Sequence, residues 1–406
     1  MKVCVIGAGV IGCATAYELA RQGHDVHLLD AAQAPGLGTS YANGAQLSYS
    51  YVEPFASSAT LRALPKLLLS RGSAVRFYPR WDWRQWVWGL QFLRACSARQ
   101  SLRGTAQLLQ LAQASRLALA QWMQEEAWSF GFEENGKLVL CPTPQALRQQ
   151  QRQVAVQAAM GCRQEVLSLR ECLDKEPALQ AAPGLPWAGG VWTRDECIAD
   201  PHRLCLDLVA SLRQRGGTVS LGVQAHSFTR HAGRVSAVVT NQGEIAADAF
   251  VLATGPSAGP LAARLGIHLP IHPIKGYSIT VPFEGGVVRP RASVTDLGRK
   301  TVFAPLGAHL RVAAMAEVGA TGLDVPADRV RTMVDAVAAT YPGVCDLSAP
   351  ATWAGLRPAT PTSVPVVGRW RGSNVYLNVG HGALGLTLAA GSAVALSQQM
   401  QSAQTA

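Results

Sequence analysis

The sequence has little charge, and it has fewer acidic than basic residues. Only 15% of its 406 residues are charged, against about a quarter in an average globular protein, and 48% are apolar. This composition excludes a disordered chain or a coiled coil and predicts a well-buried protein, normally of two domains at this length. The 36 Lys and Arg against 26 Asp and Glu give a formal net charge of +10. Such a balance permits an anionic partner: nucleic acid, a membrane surface or an acidic small molecule.

Cysteine pairs and long apolar runs are also missing. The nine cysteines are an odd number without a C-x-x-C pair, so we expect reduced cytosolic thiols rather than a disulfide framework or a zinc ribbon. No uncharged apolar stretch reaches the ~18 residues that a membrane-spanning helix requires. Near the N-terminus, three glycines together with Glu18 and Arg21 break the apolar run that a signal peptide needs. We therefore expect a cytoplasmic protein.

A glycine motif lies between the first predicted strand and the first predicted helix. Residues 2–6 form an apolar strand run, 11–22 have a helical period, and a second strand over 26–29 ends at Asp30. This order predicts a βαβ unit and a parallel sheet. The G-x-G-x-x-G spacing between strand and helix contains Gly7, Gly9, Val10, Ile11 and Gly12.

Each part of this motif suits a dinucleotide. Gly7 permits the tight turn, Gly9 lets a pyrophosphate approach the backbone, and Gly12 allows the helix and strand to pack closely. The helix N-terminus offers free N–H groups to the phosphates. Asp30, 18 residues after Gly12, is positioned to accept hydrogen bonds from a ribose diol. The motif predicts dinucleotide binding, with a Rossmann unit that has lost its ligand as the alternative.

Later segments favour FAD over NAD. A strand run at 249–253 leads to Gly255, and a glycine-rich stretch over 380–387 opens the last predicted helix. A second helix N-terminus at the end of the chain suits a flavin ring, because that ring gains negative charge on reduction. A tight strand-to-helix turn without a ligand explains the same glycines, so an NAD-dependent amine dehydrogenase stays open on these grounds.

The other elements follow from apolar periodicity and turn residues. Residues 31–60 are rich in Gly, Ala, Ser and Asn and predict a loop. Helices are predicted over 105–126, 144–161, 200–212, 326–340 and 385–402. Strands are predicted at 136–141, at 190–193, in short pieces over 218–253, within 268–315 and at 375–379.

Motifs spread along nearly the whole chain resemble one flavoprotein family. Besides the opening βαβ unit they are the segments 39–48 (TSYANGAQLS), 275–278 (KGYS), 353–361 (WAGLRPATP), 365–368 (PVVG) and 378–382 (NVGHG). In these the chain resembles the D-amino-acid oxidase superfamily, and within it the bacterial D-amino-acid dehydrogenases of the small-subunit type. Oxidases of glycine, sarcosine and cyclic imino acids share the Gly-Leu-Arg-Pro and Gly-His elements and are the alternative.

The resemblance implies an α/β fold with interleaved domains. A Rossmann-like FAD-binding domain would comprise residues 1–45, 196–267 and 351–406, and an α+β substrate domain on a mixed or antiparallel sheet would comprise 46–195 and 268–350. Beyond the glycine motif and Asp30, the residues implied to hold FAD are Ser40, Asn43, Gly44, Gln46, Val223 through its backbone on the adenine side, Gly255, Gly382, and Gly385, Leu386 and Thr387 facing the ring.

The implied reaction is FAD-dependent oxidative deamination of D-amino acids. Hydride would pass from Cα to flavin N5, the imine would hydrolyse to a 2-oxo acid and ammonia, and the electrons would go to a quinone or, in the oxidase alternative, to oxygen. No acid, base, nucleophile or metal is required if the neutral amine reacts. One departure from the dehydrogenase pattern, Glu53-Pro54-Phe55 in place of Ala-Pro-Trp, puts the preferred substrate side chain in doubt.

Three residues are candidates for substrate binding. Arg357 would clamp the substrate carboxylate with a planar bidentate guanidinium, the alternative being an ordinary salt bridge. Tyr277 would hydrogen-bond the same carboxylate or cover the site, the alternative being a strand aromatic. His381 would contact the flavin or the substrate amine, the alternative being a satisfied loop histidine.

Basic residues and tryptophans are concentrated in residues 61–103. This segment has nine Arg and Lys against one Asp, a charge of +8, and four tryptophans: Trp81, Trp83, Trp86 and Trp88. Aromatics among arginines suit lipid headgroups or nucleic-acid bases, and a basic binding protein with a vestigial Rossmann domain is the hypothesis from a different class. A helix with buried tryptophans and solvated arginines is the structural alternative. Because the dehydrogenases that the chain resembles serve a membrane quinone pool, we expect peripheral contact with the cytoplasmic face of the inner membrane and no nucleic acid.

Overall fold

A computed structural model describes residues 1–52, 54–57, 60–61 and 74–405. Its strands are β1 Lys2–Ile6, β2 Asp25–Asp30, β3 Gln46–Leu47, β4 Val75–Phe77, β5 Lys137–Cys141, β6 Glu165–Leu167, β7 Gly189–Thr193, β8 Cys197–Ile198, β9 Thr218–Leu221, β10 Ala225–His231, β11 Arg234–Thr240, β12 Gly243–Ala246, β13 Ala249–Leu252, β14 His272–Pro282, β15 Ser293–Asp296, β16 Thr301–Leu306, β17 His309–Val318, β18 Ala351–Ala359, β19 Val366–Arg369 and β20 Val375–Val379. Its helices are α1 Val10–Arg21, α2 Trp83–Ala95, α3 Ala98–Glu125, α4 Pro144–Ala158, α5 Leu169–Lys175, α6 Pro201–Gln214, α7 Ala258–Ala263, α8 Ala327–Thr340 and α9 Gly385–Thr405.

The first sheet confirms the predicted parallel βαβ architecture. Its strand order is β19-β20-β13-β1-β2-β9, and only β19 runs antiparallel to its neighbour. Val3 and Val5 of β1 point into a core shared with α1, α3, α6 and α9, whereas Cys4 and Ile6 point into a second core beneath β11 and α7. Because both faces of β1 are covered, its sequence is a continuous apolar run.

The second sheet is mixed, as the predicted fold class requires. Its order is β18-β14-β17-β16-β15-β5-β7-β6, with β4 paired in parallel to β17. Ile279 and Val281 of β14 pack on one face of this sheet against Met333 and Val337 of α8. The opposite face, which carries Ser278, is turned towards the parallel sheet, since the Ser278 hydroxyl donates to the carbonyl of Ala42 at 2.6 Å.

Two elements depart from the predicted domain boundaries, which otherwise stay predictions. Helix α3 lies in the segment assigned to the substrate domain, yet its Leu108 and Trp122 pack in the core of the parallel sheet with Tyr17. Strand β18 lies in the segment assigned to the FAD domain, yet it pairs with β14 of the mixed sheet. The predicted boundaries follow from the family resemblance, which does not show which sheet each strand of this chain joins.

Local differences from the predicted elements have simple causes. Helix α3 begins at Ala98, seven residues before the predicted start, because the Ser97 side chain caps it by accepting from the Gln100 backbone. The described residues of 31–57 are a loop except for the short strand β3, which pairs with β8. The predicted helix after Asp200 is confirmed, with Asp200 as its cap and Pro201 in its first turn.

Two further features of the described residues are the state of the cysteines and the character of the helices. All nine cysteines lie within that part of the chain, and each is buried and free. Among the helices of the described ranges, none has the length and apolar character needed to cross a membrane.

Candidate active site

A large cleft lies between the parallel sheet and the mixed sheet. Its volume is about 1680 Å³, well above the ~300–1,000 Å³ of a usual small-ligand pocket. Every residue predicted to bind cofactor or substrate lines this cleft, except Gly12, which packs behind it. The structure therefore brings together residues from both ends and the middle of the chain.

The glycine motif forms one end of the cleft with very close backbone packing. A Cβ on Gly7 would lie 2.6 Å from the carbonyl oxygen of Ala253, and the φ of Gly7 is +107°. A Cβ on Gly12 would lie 1.7 Å from the carbonyl oxygen of Gly7. Both positions therefore require glycine, as the motif predicts. At the start of α1 the Val10 N–H donates to the Ser40 hydroxyl at 3.0 Å, which fixes Ser40 beside the helix N-terminus.

Asp30 closes the same end of the cleft. Its carboxylate accepts from the Ala8 N–H at 2.5 Å and from the Ala32 N–H at 2.7 Å, while its carbonyl accepts from Val223 at 2.9 Å. A carboxylate has about four acceptor positions. Half-buried and lining the cleft, Asp30 therefore keeps acceptor capacity for a ribose diol, and Val223 is held there through its backbone as expected.

The loop that follows Ser40 crosses the cleft to the start of α9. Asn43 makes a side-chain turn by accepting from the Ala45 N–H at 2.9 Å, and Ala45 has a φ of 56°. The Thr387 hydroxyl accepts from the Ser48 N–H at 3.0 Å and donates to the Gln46 carbonyl at 3.4 Å. The loop and the first turn of α9 are thus joined directly.

Arg357 lies in β18 on the face of the mixed sheet that lines the cleft. Its guanidinium donates from Nη1 to the Met315 carbonyl at 2.9 Å, and Gly276 of the adjacent strand leaves room for it, because a Cβ there would lie 2.3 Å from Nη2. Desolvation lowers the pKa of Arg357. No salt bridge within the described ranges includes this arginine. The predicted alternative, an ordinary salt bridge, is therefore not what the structure has.

Tyr277 lies on the opposite face of the same sheet. In the pairing of β14 with β18, Gly276 faces Gly355 and Ile274 faces Arg357, so Tyr277, one residue out of phase, points away from the cleft. Its buried hydroxyl donates to Glu317 Oε2 at 2.8 Å, and this raises the pKa of the Tyr277 phenol together with burial. The Tyr277 hydroxyl is thus directed to Glu317, and its expected hydrogen bond to the carboxylate held by Arg357 stays a prediction. Tyr277 itself is one of the residues that line the cleft.

His381 is buried at the cleft beside the turn into α9. Burial lowers the pKa of its imidazole to about 3, so the ring is neutral at physiological pH. Its Nε2 is buried and has no hydrogen-bond partner among the described residues, and the same holds for Thr254 Oγ1 and Asn378 Oδ1, which also line the cleft. Buried polar atoms without partners are rare in proteins, so these three fit a polar ligand.

Two buried charged side chains that contact residues 46–51, Lys137 and Glu196, were not predicted from the sequence. Lys137 of β5 donates to Gln46 Oε1 and to Ser48 Oγ, both at 2.9 Å, and burial lowers the pKa of its ammonium to about 8. Nearby, Glu196 accepts from the backbone of Ser50 at 2.7 Å, and burial raises the pKa of its carboxyl. A charged residue within the apolar run of β5 was the only sequence signal for this site.

The residues present fit FAD. The glycine turn and helix N-terminus suit a pyrophosphate, Asp30 suits a ribose, and partnerless polar atoms lie where the ring is expected. Ser40, Asn43, Gly44, Gln46, Gly255, Gly382, Gly385 and Leu386 all border the same space. Their individual roles stay predictions.

Comparison with known proteins gives one family along the whole chain. The model of the family described as DAO, FAD dependent oxidoreductase, matches residues 2–399. A protein named D-amino acid dehydrogenase 2 from Pseudomonas aeruginosa is 41% identical over 98% of this chain and 94% of its own length. Another of that name, from Ralstonia nicotianae, is 42% identical over 97% of this chain and 95% of its own length.

Solved structures share the fold at low identity. Glycine oxidase from Bacillus cereus has a TM-score of 0.76 at 17% identity, covering 99% of this chain and 95% of its own. L-alpha-glycerophosphate oxidase from Mycoplasma pneumoniae, solved with FAD bound, has a TM-score of 0.75 at 16% identity, covering 98% and 94%. These likenesses support the fold class alone.

Proposed function

Because the chain belongs to the DAO family of FAD-dependent oxidoreductases, we propose that it oxidises D-amino acids to imines, which water converts to 2-oxo acids and ammonia. The names of the relatives at 41% and 42% identity support this substrate class. The single observation that carries the proposal is Arg357, a cation on the cleft face whose guanidinium donates to a neutral carbonyl, that of Met315. A partly buried cation without a carboxylate is costly unless a ligand supplies one.

Arg357 positions the substrate. A guanidinium binds a carboxylate through two parallel hydrogen bonds and fixes its plane. The bond to the Met315 carbonyl occupies one N–H of Nη1 and holds the side chain against β17, so the remaining donors are available to the substrate. Orientation of this kind places the Cα–H without a residue acting on it chemically.

His381 contributes a neutral polar atom near the reacting amine or the cofactor. Since its pKa is lowered to about 3, the ring adds no positive charge that would repel a substrate ammonium group. The isoalloxazine of bound FAD supplies the hydride acceptor. With the neutral amine as the reacting form, the chain's task is to bind, orient and exclude water, and no general base is assigned.

The preferred substrate side chain is set by the part of the cleft that departs from the dehydrogenase pattern. Glu53 lies outside the described residues, but Pro54 and Phe55 line the cleft. Phe55 is 40% exposed, and its ring contacts that of Phe92 of α2 at a tilt of 40°, with 5.6 Å between the ring centres. An aromatic wall at the entrance favours substrates with apolar side chains. Glycine, sarcosine and cyclic imino acids with oxygen as acceptor are the alternative, and no contact favours them specifically.

A quinone in the membrane is the proposed electron acceptor, reached through the described part of the basic segment, 74–103. Helix α2 buries one face, which includes Trp88 and Phe92. Its other face is apolar as well: Trp83 is 63% exposed, Trp86 53% and Leu90 51%. The structural alternative, tryptophans in the core and arginines in solvent, is therefore confirmed for Trp88 and wrong for Trp83 and Trp86.

The surroundings of this exposed face suit an anionic lipid surface. Trp81, just before α2, is fully exposed. Segment 74–103 has six arginines and one aspartate; Arg62, Lys66 and Arg71 of the predicted set lie outside the described residues. Tryptophan prefers the headgroup level, and each basic residue near an anionic leaflet contributes ~1 kcal/mol. We therefore propose peripheral binding at the cytoplasmic face of the inner membrane. We expect no nucleic-acid partner.

A product assay tests the proposed reaction. The purified protein, supplied with D-alanine and an artificial electron acceptor, should release pyruvate and ammonia in equal amounts. L-alanine serves as the matched control and should release neither. Release from L-alanine alone, or from glycine alone, would refute the proposed substrate class.

A further inference from the structure

Lys137 is a buried cation in the wall of the cleft. Its side chain is 3% exposed, and its Nζ lies 4.4 Å from the centre of the Tyr51 ring. With the two hydrogen bonds to Gln46 and Ser48, the ammonium touches three side chains of residues 46–51, here called the 46–51 wall. The cation therefore ties β5 of the mixed sheet to the loop that lines the cleft.

Glu196 holds the same wall from behind. Its carboxylate is 1% exposed and accepts from the backbone N–H groups of Ser50 and Tyr51, at 2.7 and 3.2 Å. The carboxylate also attracts the Lys137 ammonium. Its Oε2 has no hydrogen-bond partner among the described residues. The pair thus places one positive charge on the cleft side and one negative charge behind it.

The pair is close to the elements assigned to the flavin ring. Thr387, in the first turn of α9, bonds to the backbone of Gln46 and of Ser48, and Lys137 bonds to the side chains of the same two residues. The ammonium and the first turn of α9 therefore contact the same two residues of the cleft wall, and Lys137 lines the same cleft. A charge buried at this depth is poorly screened by solvent.

We propose that Lys137 is a positioning residue whose ammonium both fixes the 46–51 wall and raises the reduction potential of the bound flavin, with Glu196 moderating that charge. The inference rests on the proposed function, since it requires FAD in the cleft. Reduction adds negative charge to the ring, which a nearby cation stabilises. At a distance of ~10 Å and an effective dielectric constant of ~20, a unit charge changes such an equilibrium about tenfold.

Two substitutions should shift the flavin midpoint potential in opposite directions, which distinguishes this electrostatic role from simple packing. Lys137→Met removes the ammonium and keeps the length of the side chain, so the flavin midpoint potential should become more negative by about 30 mV, which is tenfold for two electrons. Glu196→Gln removes the opposing charge and keeps an acceptor for Ser50 and Tyr51, so the potential should become more positive. Damage to packing would not shift the two potentials in opposite directions.

The experiment is dye-coupled reductive titration of the holoenzyme at pH 7, below the pKa of Lys137. Lys300→Met is the matched control, because Lys300 also lines the cleft but is exposed, and a shift well below that of Lys137→Met is expected. Should Lys137→Met not retain flavin, the positive shift of Glu196→Gln supports the inference. Unchanged potentials, or shifts of the same sign, overturn it. A wild-type protein without flavin refutes the proposed function instead.

Discussion

The guanidinium of Arg357 lies 2.9 Å from the main-chain carbonyl of Met315, on the cleft face of the mixed sheet. Met315 has a φ of 69° at a break in the register between β14 and β17. The bulge turns its carbonyl out of the regular ladder, where it orients the arginine. A positive φ in a non-glycine residue is uncommon and indicates a local constraint.

Removal of this guanidinium should strongly reduce the efficiency with which the protein uses its substrate. We expect Arg357→Ala to lower kcat/KM for D-alanine about a hundredfold, because a bidentate charged contact contributes ~3 kcal/mol. Arg357→Lys should recover only part of the loss, since an ammonium cannot make two parallel bonds. Exposed Arg369, whose guanidinium donates to the carbonyls of Gly372 and Ser373, provides the control Arg369→Ala, which should have wild-type kinetics. An unchanged kcat/KM for Arg357→Ala would remove Arg357 from the mechanism.

The side chain of Tyr277 should contribute to the stability of the fold rather than to substrate binding. The change Tyr277→Phe removes the hydroxyl that donates to Glu317, while Glu317 keeps its ion pair with Arg329. Loss of one buried hydrogen bond costs ~1 kcal/mol of unfolding free energy. Urea unfolding should register this loss, and KM for D-alanine should stay unchanged. A raised KM with unaltered stability would instead support a role for Tyr277 in substrate binding.

Gly12 should be essential for the dinucleotide end of the cleft. In Gly12→Ala the new methyl group would lie 1.7 Å from the Gly7 carbonyl, so β1 and α1 must separate. We expect the variant to purify without flavin or with a lower Tm. Gly89→Ala in α2 is the control, because a Cβ there meets nothing within 4 Å. It should keep full flavin content, and flavin absorbance per protein measures both variants.

The glycine motif and the parallel strands could be predicted because their signals are local. Position-by-position spacing fixes Gly7, Gly12 and Asp30 within one βαβ unit. The face of the mixed sheet on which the Tyr277 side chain lies could not be predicted, because it depends on the register of β14 against β18 and on a bulge in β17. These pairings place Tyr277 opposite Ala314 and Ala354, which are 37 and 77 positions away in sequence.

Lys137 and Glu196 were missed for a related reason. They act on the 46–51 wall through the pairing of β5 with β7 and of β3 with β8, which no local pattern shows. The exposed tryptophans of α2 were ambiguous because both faces of that helix are apolar. A hydrophobic period then indicates a helix but does not identify which face is buried.

His381 should make the protein sensitive to acid. Its pKa in the folded chain is about 3, below the ordinary ~6.5, so the unfolded chain binds a proton more readily. The stability from the neutral ring is complete above pH ~6.5 and is lost as the pH falls towards 3. Between pH 7 and 4.5 the wild type should lose ~2 kcal/mol of unfolding free energy that His381→Asn does not lose. Equal losses in both proteins would contradict a buried neutral imidazole.

The exposed face of α2 should bind anionic vesicles. Co-sedimentation at low salt should recover the wild type with vesicles rich in anionic lipid and release it at high salt, because screening weakens the arginines. Replacing Trp83 and Trp86 together with serine should weaken binding about tenfold or more. Leu117→Ser, at an exposed leucine of α3 that is 73% exposed, should bind as the wild type does. Absence of binding at low salt would refute the membrane proposal.

The visible spectrum of the purified protein under anaerobic conditions tests directly whether the chain is a flavoenzyme that oxidises D-amino acids. We expect a yellow protein whose flavin band disappears on addition of D-alanine and persists on addition of L-alanine. Arg357→Ala should keep the band and bleach slowly. A colourless wild-type protein, or a flavin band that no D-amino acid bleaches, would contradict the account.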